Sequence, residues 1–339
     1  MHDRDATMLI TPSLFVGLGT SGQRALDYLK ARILKAFGPE GLPLAELLAA
    51  DFVKDHHFLN AGDFIQMQVL GLEHLWEEYG LPDRDTYPSL RRLPNMEDGA
   101  AGVRVLGQLG YRENRLRIRR ALREKITAVL HRAAVLRVRR SKTRFSERER
   151  QELPVWLVCS LCGGTGAGAF LDAAADLKAD SFGFPVCLHG LFFLPNVFRH
   201  VPEEVYCRIK ATADAALEEL EQILDGTVYR SELDGEEIQA RGLFDKVILI
   251  DGQNEVDVVL DASEEEAFKM AAEFLFAWLT TDLSDRLDTQ LEEQRLTTYP
   301  IYSIGIHRLV HPRAQLLEVA KLEKALGCIS ELLQREGRR

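Results

Sequence analysis

The sequence predicts an α/β protein built on a mostly parallel sheet, and three observations carry that prediction. Apolar strand patterns and amphipathic helix patterns alternate along the whole chain. Two of the strand-to-helix junctions are dense in glycine, Gly17-Leu-Gly-Thr-Ser-Gly22 and Ser160-Leu-Cys-Gly-Gly-Thr-Gly-Ala-Gly168. The 339 residues, 46% apolar and 28% charged, suit a soluble chain that holds one large α/β domain and the start of another.

Taken in order, Leu14-Phe-Val16 reads as a short apolar strand and Gln23 to Ala36 as a helix with apolar positions at Leu26, Leu29, Ile33 and Leu34. Leu44 to Val53 is ambiguous, and Lys54 to Asp63 reads as a polar surface loop in which the neighbours His56 and His57 cannot share a metal from a regular helix. Pro82, Asp83 and Asp85 mark a further loop over Gly80–Tyr87. Gly99 to Gly110 is small and flexible, and a long basic helix from Tyr111 to Val138 follows. Val155-Trp-Leu-Val-Cys159 is a strand and Ala169 to Lys178 an Ala-rich helix. Val186 to Leu194 is a buried-type strand, and Glu203 to Leu224 an amphipathic helix. Val247 to Ile250 is a fully apolar strand, and Glu264 to Leu279 a helix apolar on most sides, as a central helix between two domains would be. Tyr302 to Val310 alternates like a strand, and Arg313 to Gln334 closes the chain as a helix.

Each glycine junction lets consecutive backbone N–H groups face one anion, and the helix it opens adds its positive end. Phosphate is the expected guest, with Thr165 as a hydroxyl donor. Taken alone, the first junction is a G-x-G-x-x-G fingerprint that suggests a dinucleotide fold. That reading wants an acidic residue closing the second strand, and nothing clean offers one before the ambiguous Asp51. Two phosphate-type loops fit better with one polyphosphate gripped from two sides. Gly99 to Gly110, including Gly102, is a third candidate ligand loop. Bulky residues at Gly164 and Gly166 are expected to abolish binding without unfolding the chain.

Composition narrows the classes further. There is no apolar run of about 18 residues, and Met1-His-Asp-Arg-Asp5 is too polar for a signal peptide, so no membrane segment and a cytoplasmic location are expected. The five cysteines suit a reducing compartment. Cys159 and Cys162 form a C-x-x-C with no second pair, so no metal site is expected and a core or loop-lining role is. A net charge of −10 disfavours nucleic-acid binding. The arginines between Arg112 and Arg150 read as a solvated helix face, or as one half of a charge-complementary contact with a neighbouring copy, whereas Glu203–Asp225 and Asp261–Glu293 are acid-rich.

Gly163-Gly-Thr-Gly-Ala-Gly168 resembles the tubulin/FtsZ signature loop GGTG(S/T)G, with alanine in the fifth position, and Gly17-Leu-Gly-Thr-Ser-Gly22 looks like that superfamily's first phosphate loop. Glu204 and Arg208 are similar to the FtsZ ribose-contacting pair, Asn254 stands where an asparagine contacts the base, and Ala267-Phe-Lys269 resembles the central helix whose phenylalanine stacks on guanine. The third loop and the last strand look most like divergent bacterial tubulin-like proteins. The resemblance covers about residues 14–285. One turn after that phenylalanine stands Ala272 where FtsZ has an aspartate, so guanine and adenine both stay open. FtsZ's N-x-D-x-x-D after the central helix is replaced by Asp282-Leu-Ser-Asp285, closer to the helix.

The resemblance implies a Rossmann-like nucleotide domain at 1–255, a central helix and acidic loop at 256–289, and part of a second, activation-type domain from 290 to 339. It implies GTP or GDP with Mg2+ as ligands. The nucleotide set it implies is Gly17, Gly19, Thr20, Ser21, Gly22, Gln23, Gly102, Cys162, Gly163, Gly164, Thr165, Gly166, Ala167, Gly168, Glu204, Arg208, Asn254 and Phe268. It further implies head-to-tail association with other copies, in which Asp285 or Asp282 of one copy serves hydrolysis at the next. Two alternatives stay open: a nucleotide-binding interaction module, with a protein partner still to be identified, that never hydrolyses, and a nicotinamide-dependent oxidoreductase resting on the first loop alone.

Overall fold

A computed structural model describes residues 8–42, 44–79, 99–100, 102–138, 145–147, 150–179, 183–230, 237–238, 242–252, 264–287 and 300–304. The chain divides into the units Met1–Ile304 and Gly305–Arg339, and the second lies outside the described residues. So do the Gly80–Tyr87 loop, Asn254, the strand expected beyond Ile304 and the closing helix.

The strands are β1 (Met8–Ile10), β2 (Ser13–Leu18), β3 (Ala45–Asp51), β4 (Phe64–Gln66), β5 (Phe145–Glu147), β6 (Leu153–Ser160), β7 (Val186–Phe193), β8 (Tyr229–Arg230), β9 (Glu237–Ile238), β10 (Lys246–Ile250) and β11 (Ile301–Ser303). The helices are α1 (Gly19–Phe37), α2 (Leu72–Glu78), α3 (Arg104–Val138), α4 (Gly164–Lys178), α5 (Glu203–Leu224) and α6 (Glu264–Thr280). The main sheet has seven strands in the order β11-β10-β7-β6-β2-β3-β4, and every neighbouring pair in it is parallel. That is the doubly wound order, and its direction of winding reverses between β2 and β6. Two small pairings stand apart, β1 with β5 and β8 with β9.

Both faces of the sheet are covered, which is why the central strands read as continuous apolar runs. Along β6 the side chains alternate: Val155, Leu157 and Cys159 enter a core shared with α3, α4 and α5, while Trp156 and Val158 enter a second core shared with α1 and α6. α6 is buried along Ala267, Phe268, Ala271, Ala272, Phe274, Leu275, Trp278 and Leu279, as its sequence predicts.

Four expectations change. α1 and α4 begin inside the glycine segments, at Gly19 and Gly164, so much of each expected loop is the first turn of a helix. The third loop is short as well, because α3 starts at Arg104 and contains Gly107 and Gly110. A Cβ at Gly107 would lie 2.1 Å from the Gly164 carbonyl oxygen, and one at Gly110 would lie 2.1 Å from the Phe52 ring, so these glycines serve close packing of α3. The basic stretch is not simply a solvated face. Arg112 pairs with Asp172, Arg115 with Asp176, and Lys125 and Arg132 with Glu46, so much of its charge is answered inside the molecule. Last, the ambiguous segment is strand β3, and it ends on Asp51.

Candidate functional site

In a doubly wound sheet the crevice for a ligand opens at the carboxyl ends of the strands, where the winding reverses. Here that crevice lies between the turns after β2 and β6. β2 leads into α1 through Gly19, whose φ of 69° requires a glycine. A Cβ at Gly19 would stand 3.2 Å from the backbone nitrogen of Gly166 and 3.3 Å from the Thr165 Cβ, so the two turns touch. β6 leads through Leu161 and Cys162 to Gly163, the extended residue before α4. Neither α1 nor α4 has a side-chain cap or an acidic residue in its first turn, which leaves first-turn N–H groups of both helices for an outside acceptor.

The cleft so formed measures about 240 Å3. Its walls are Gly19, Thr20 and Ser21 from the first turn, Gly163 to Gly166 from the second, and Gly99, Ala100 and Gly102 from the segment before α3. Leu18, Ser160, Asp51 at the end of β3 and Val53 just beyond it are the other described residues of the lining. Thr20 Oγ1 donates to Asp51 Oδ2 at 2.9 Å and the Phe52 N–H donates to Oδ1 at 2.9 Å, with Thr165 of the second turn lining the same cleft. Burial pushes the Asp51 carboxyl up from its ordinary value, against the lowering pull of those hydrogen bonds. Asp51 is thus tied to the first loop and shares the cleft with the second. The sequence signal for it was the rule of an acid closing the second strand, which failed only because β3 was not legible as a strand.

The remaining expected residues divide by where they sit. Gly17 and Gly22 pack against each other, and a Cβ at Gly22 would meet the Val158 carbonyl oxygen at 2.2 Å. Gly166 lies under Ser160, and a Cβ at Gly168 would meet the Arg104 carbonyl oxygen at 2.0 Å. Gly164 would meet the Ala100 Cβ at 2.7 Å, so bulky residues at Gly164 and Gly166 would disturb the fold itself, contrary to expectation. Gly163 has nothing within 4 Å of its Cβ position. Ala167 is buried in the α4 side of the core. Gln23 is fully buried and holds the loop after β3, donating to the Val53 carbonyl and accepting from the Asp55 N–H, so it does not line the cleft. Cys162 turns inward, its Sγ 3.6 Å from the Phe193 carbonyl, and burial pushes its thiol up to about 12. Phe268 is buried edge-on against Phe193 with ring centres 5.0 Å apart, away from the cleft lining. Glu204 and Arg208 are exposed on the first turns of α5 and also stand outside that lining.

A family model described as tubulin like matches residues 85–326 of this sequence. The chain belongs to the tubulin-like family. Three solved structures illustrate its neighbours. CetZ from Methanosaeta thermophila strain DSM 6194 is 16% identical at a TM-score of 0.44, over 86% of this chain and 57% of that one. CetZ2 from Haloferax volcanii, a GTPgS-bound protofilament, is 17% identical at 0.46, over 82% and 62%. TubZ of Bacillus thuringiensis serovar israelensis, a GTPyS-form protofilament, is 14% identical at 0.46, over 82% and 59%. The chain therefore spans less than two thirds of the length of each. No curated protein matches it.

In this tubulin-like chain the acidic turn lies at the other pole of the sheet. α6 runs back from the carboxyl ends of the strands and finishes beside the start of β2, where the Thr11 N–H donates to the Leu279 carbonyl at 3.0 Å. Residues 283–287 form one further helical turn, tied down by a buried hydrogen bond between the hydroxyls of Thr11 and Ser284. On it Asp285 pairs with Arg150 at 3.1 Å, and Asp282, the residue before that turn, pairs with Arg286 at 2.7 Å. β6 is eight residues long, so the acids stand about 25 Å from the cleft of the same copy at roughly 3.3 Å per residue. Among the described residues no three His, Cys, Asp or Glu side chains gather to hold a metal, and no helix is long and apolar enough to cross a membrane.

Proposed function

We propose that this tubulin-like chain binds a guanine nucleotide in the cleft between its two glycine loops and associates head to tail. One observation carries this reading: two helix N-termini meet at the reversal point of the sheet, and an acidic turn sits on the opposite pole. The first-turn N–H groups of α1 and α4 take the phosphates. Such groups neutralise charge but do not orient an attacking water, which needs a carboxylate in line. Asp285 or Asp282 of one copy supplies it to the cleft of the next, because a chain cannot deliver its own acid across the length of its sheet. A contact between unlike poles does not close on itself, so filaments follow. The residues present fit Mg2+, since the Asp51 carboxylate and the hydroxyls of Thr20 and Ser21 are hard oxygen donors. The ion, when bound, neutralises phosphate charge. Residues 290–339 begin a second domain in this reading, after a nucleotide domain at 1–255 and the central helix.

GTP turnover should rise more steeply than linearly with protein concentration, and Asp285→Asn should lower turnover at least about 10-fold while leaving GTP affinity unchanged. Turnover strictly proportional to concentration would contradict a shared site. The non-hydrolysing module is favoured by one observation, that Asp282 and Asp285 are both held in ion pairs; binding without turnover at any concentration would establish it. The nicotinamide reading loses support, because the acid that closes β3 is buried and engaged by Thr20 and the Phe52 N–H rather than left for a ribose.

A further inference from the structure

The acidic turn after α6 is fixed to the sheet at two adjacent residues. Ser284 is fully buried and hydrogen-bonded to Thr11, and the side chain of Asp285 reaches Arg150 at 3.1 Å. Arg150 is itself held. Its guanidinium lies 5.6 Å from the centre of the buried Trp278 ring on α6, and with Leu130 and Ala133 of α3, Pro154 of β6 and Phe184 it lines a small hollow. Its side chain is 20% exposed against 58% for Asp285, so an anchored cation faces an open carboxylate. Asp282 is also 58% exposed, but its partner Arg286 is 73% exposed and belongs to the same turn. An exposed pair of that kind fixes little. A carboxylate that orients a water in another copy must stand in place before the copies meet, since a displacement of about 1 Å can cost roughly 100-fold in rate.

We propose that Arg150 is the positioning residue for Asp285, setting the carboxylate at the pole of one copy in the place where the cleft of the next receives it. The proposal rests on the shared-site reading above and adds which of the two acids serves and what holds it. The planar guanidinium suits this part, because it can lie over the Trp278 ring and still direct an N–H at the carboxylate. The pair contributes little to stability, as one partner is open to water. Its consequence is orientation.

Turnover of GTP by the whole chain, measured at a protein concentration that saturates the rate, tests this. Arg150→Gln should lower the saturated rate about 10-fold and leave unchanged both GTP affinity and the protein concentration at half-maximal rate. Arg150→Lys, which returns the charge without the planar fork, should recover part of that loss. Placed beside Asp285→Asn, Arg150→Gln should lower the rate no further, because it acts through that carboxylate. If Arg150→Gln loses its cooperative thermal unfolding, Arg150→Lys carries the test, and its smaller loss should vanish beside Asp285→Asn. A slow Asp285→Asn with Arg150→Gln at the wild-type rate, or losses that multiply in the double variant, would overturn the proposal and leave the shared site standing. Wild-type turnover in Asp285→Asn, or none in any chain, would remove the shared-site reading and this proposal with it.

Discussion

Helix α4 is anchored through buried charge, whereas helix α1 is anchored largely through apolar contact, although each carries a glycine loop into the same cleft. On α4, Asp172 pairs with Arg112 and accepts from Gln108 at 2.9 Å, and Asp176 accepts from Arg115 at 2.8 Å and from the Tyr111 hydroxyl at 3.1 Å. All of these partners lie on α3. On α1, Ala25, Leu26, Leu29 and Ile33 pack with α6 and the sheet, and Asp27 uses its carboxylate to hold the backbone N–H groups of His57, Phe58 and Leu59. The difference teaches that similar motifs can be fixed by unlike means. α4 shares an apolar core with α3, and the buried ion pairs add direction to that packing. α1 has large aliphatic side chains, and its ion pairs from Arg24 and Arg32 stand partly exposed rather than in the interior.

The largest test of this contrast is Asp172→Ala. It strands Arg112 without its carboxylate in the interior, and about 3–5 kcal/mol of stability should be lost in urea unfolding. A loss under about 1 kcal/mol would mean that α4 does not depend on the pair. Next come Gly168→Ala and Gly22→Ala, which press a methyl group on the Arg104 and Val158 carbonyls and should each cost about 1–3 kcal/mol. If only Gly168→Ala destabilises, the packing of α1 on β6 is looser than that of α4 on α3.

The smallest effect sharpens the contrast, because α1 has one well-buried charged tie beside the more exposed pairs of Arg24 with Asp55 and Glu264 and of Arg32 with Glu273. Lys30 and Lys125 both reach Asp63. Burial alone would raise the Asp63 carboxyl, but Lys125, Lys30 and the Asn60 N–H outweigh it and hold it below its ordinary value. Its contribution is present above the unfolded carboxylate value and lost as pH falls through the lower folded one. Asp63→Asn should therefore flatten the acid side of the stability profile and leave the helical content at neutral pH intact, as circular dichroism across a pH series would record.

The sequence made the strand and helix alternation legible, and α5 matches its expected span from Glu203 to Leu224. It hid the starts of α1, α3 and α4, because glycine disfavours helix and reads as loop unless the neighbour that demands it is known. For Gly107 that neighbour is Gly164, and for Gly168 it is Arg104, both far away in the chain. β3 was ambiguous because Glu46 sits in a strand covered on both faces, and the cations that allow it there, Lys125 and Arg132, come from α3. The cleft was legible as its glycine segments, the third candidate loop with Gly99 and Gly102 included, but not with Asp51, which enters through that same strand. The paired arginines of α3 looked solvated for a similar reason, their acids lying on α4.

The central claim is that both loops close on one guest. Ser21 faces the cleft from the first loop, and Gly163 has open space at its Cβ from the second, so tryptophan at either position fills the cleft without a clash in the core. A calorimetric titration with GTP and Mg2+ should give one equivalent per wild-type chain and no measurable binding to Ser21→Trp or to Gly163→Trp, with both variants unfolding cooperatively. Full affinity in either variant would show that its loop does not touch the ligand, and would contradict the account.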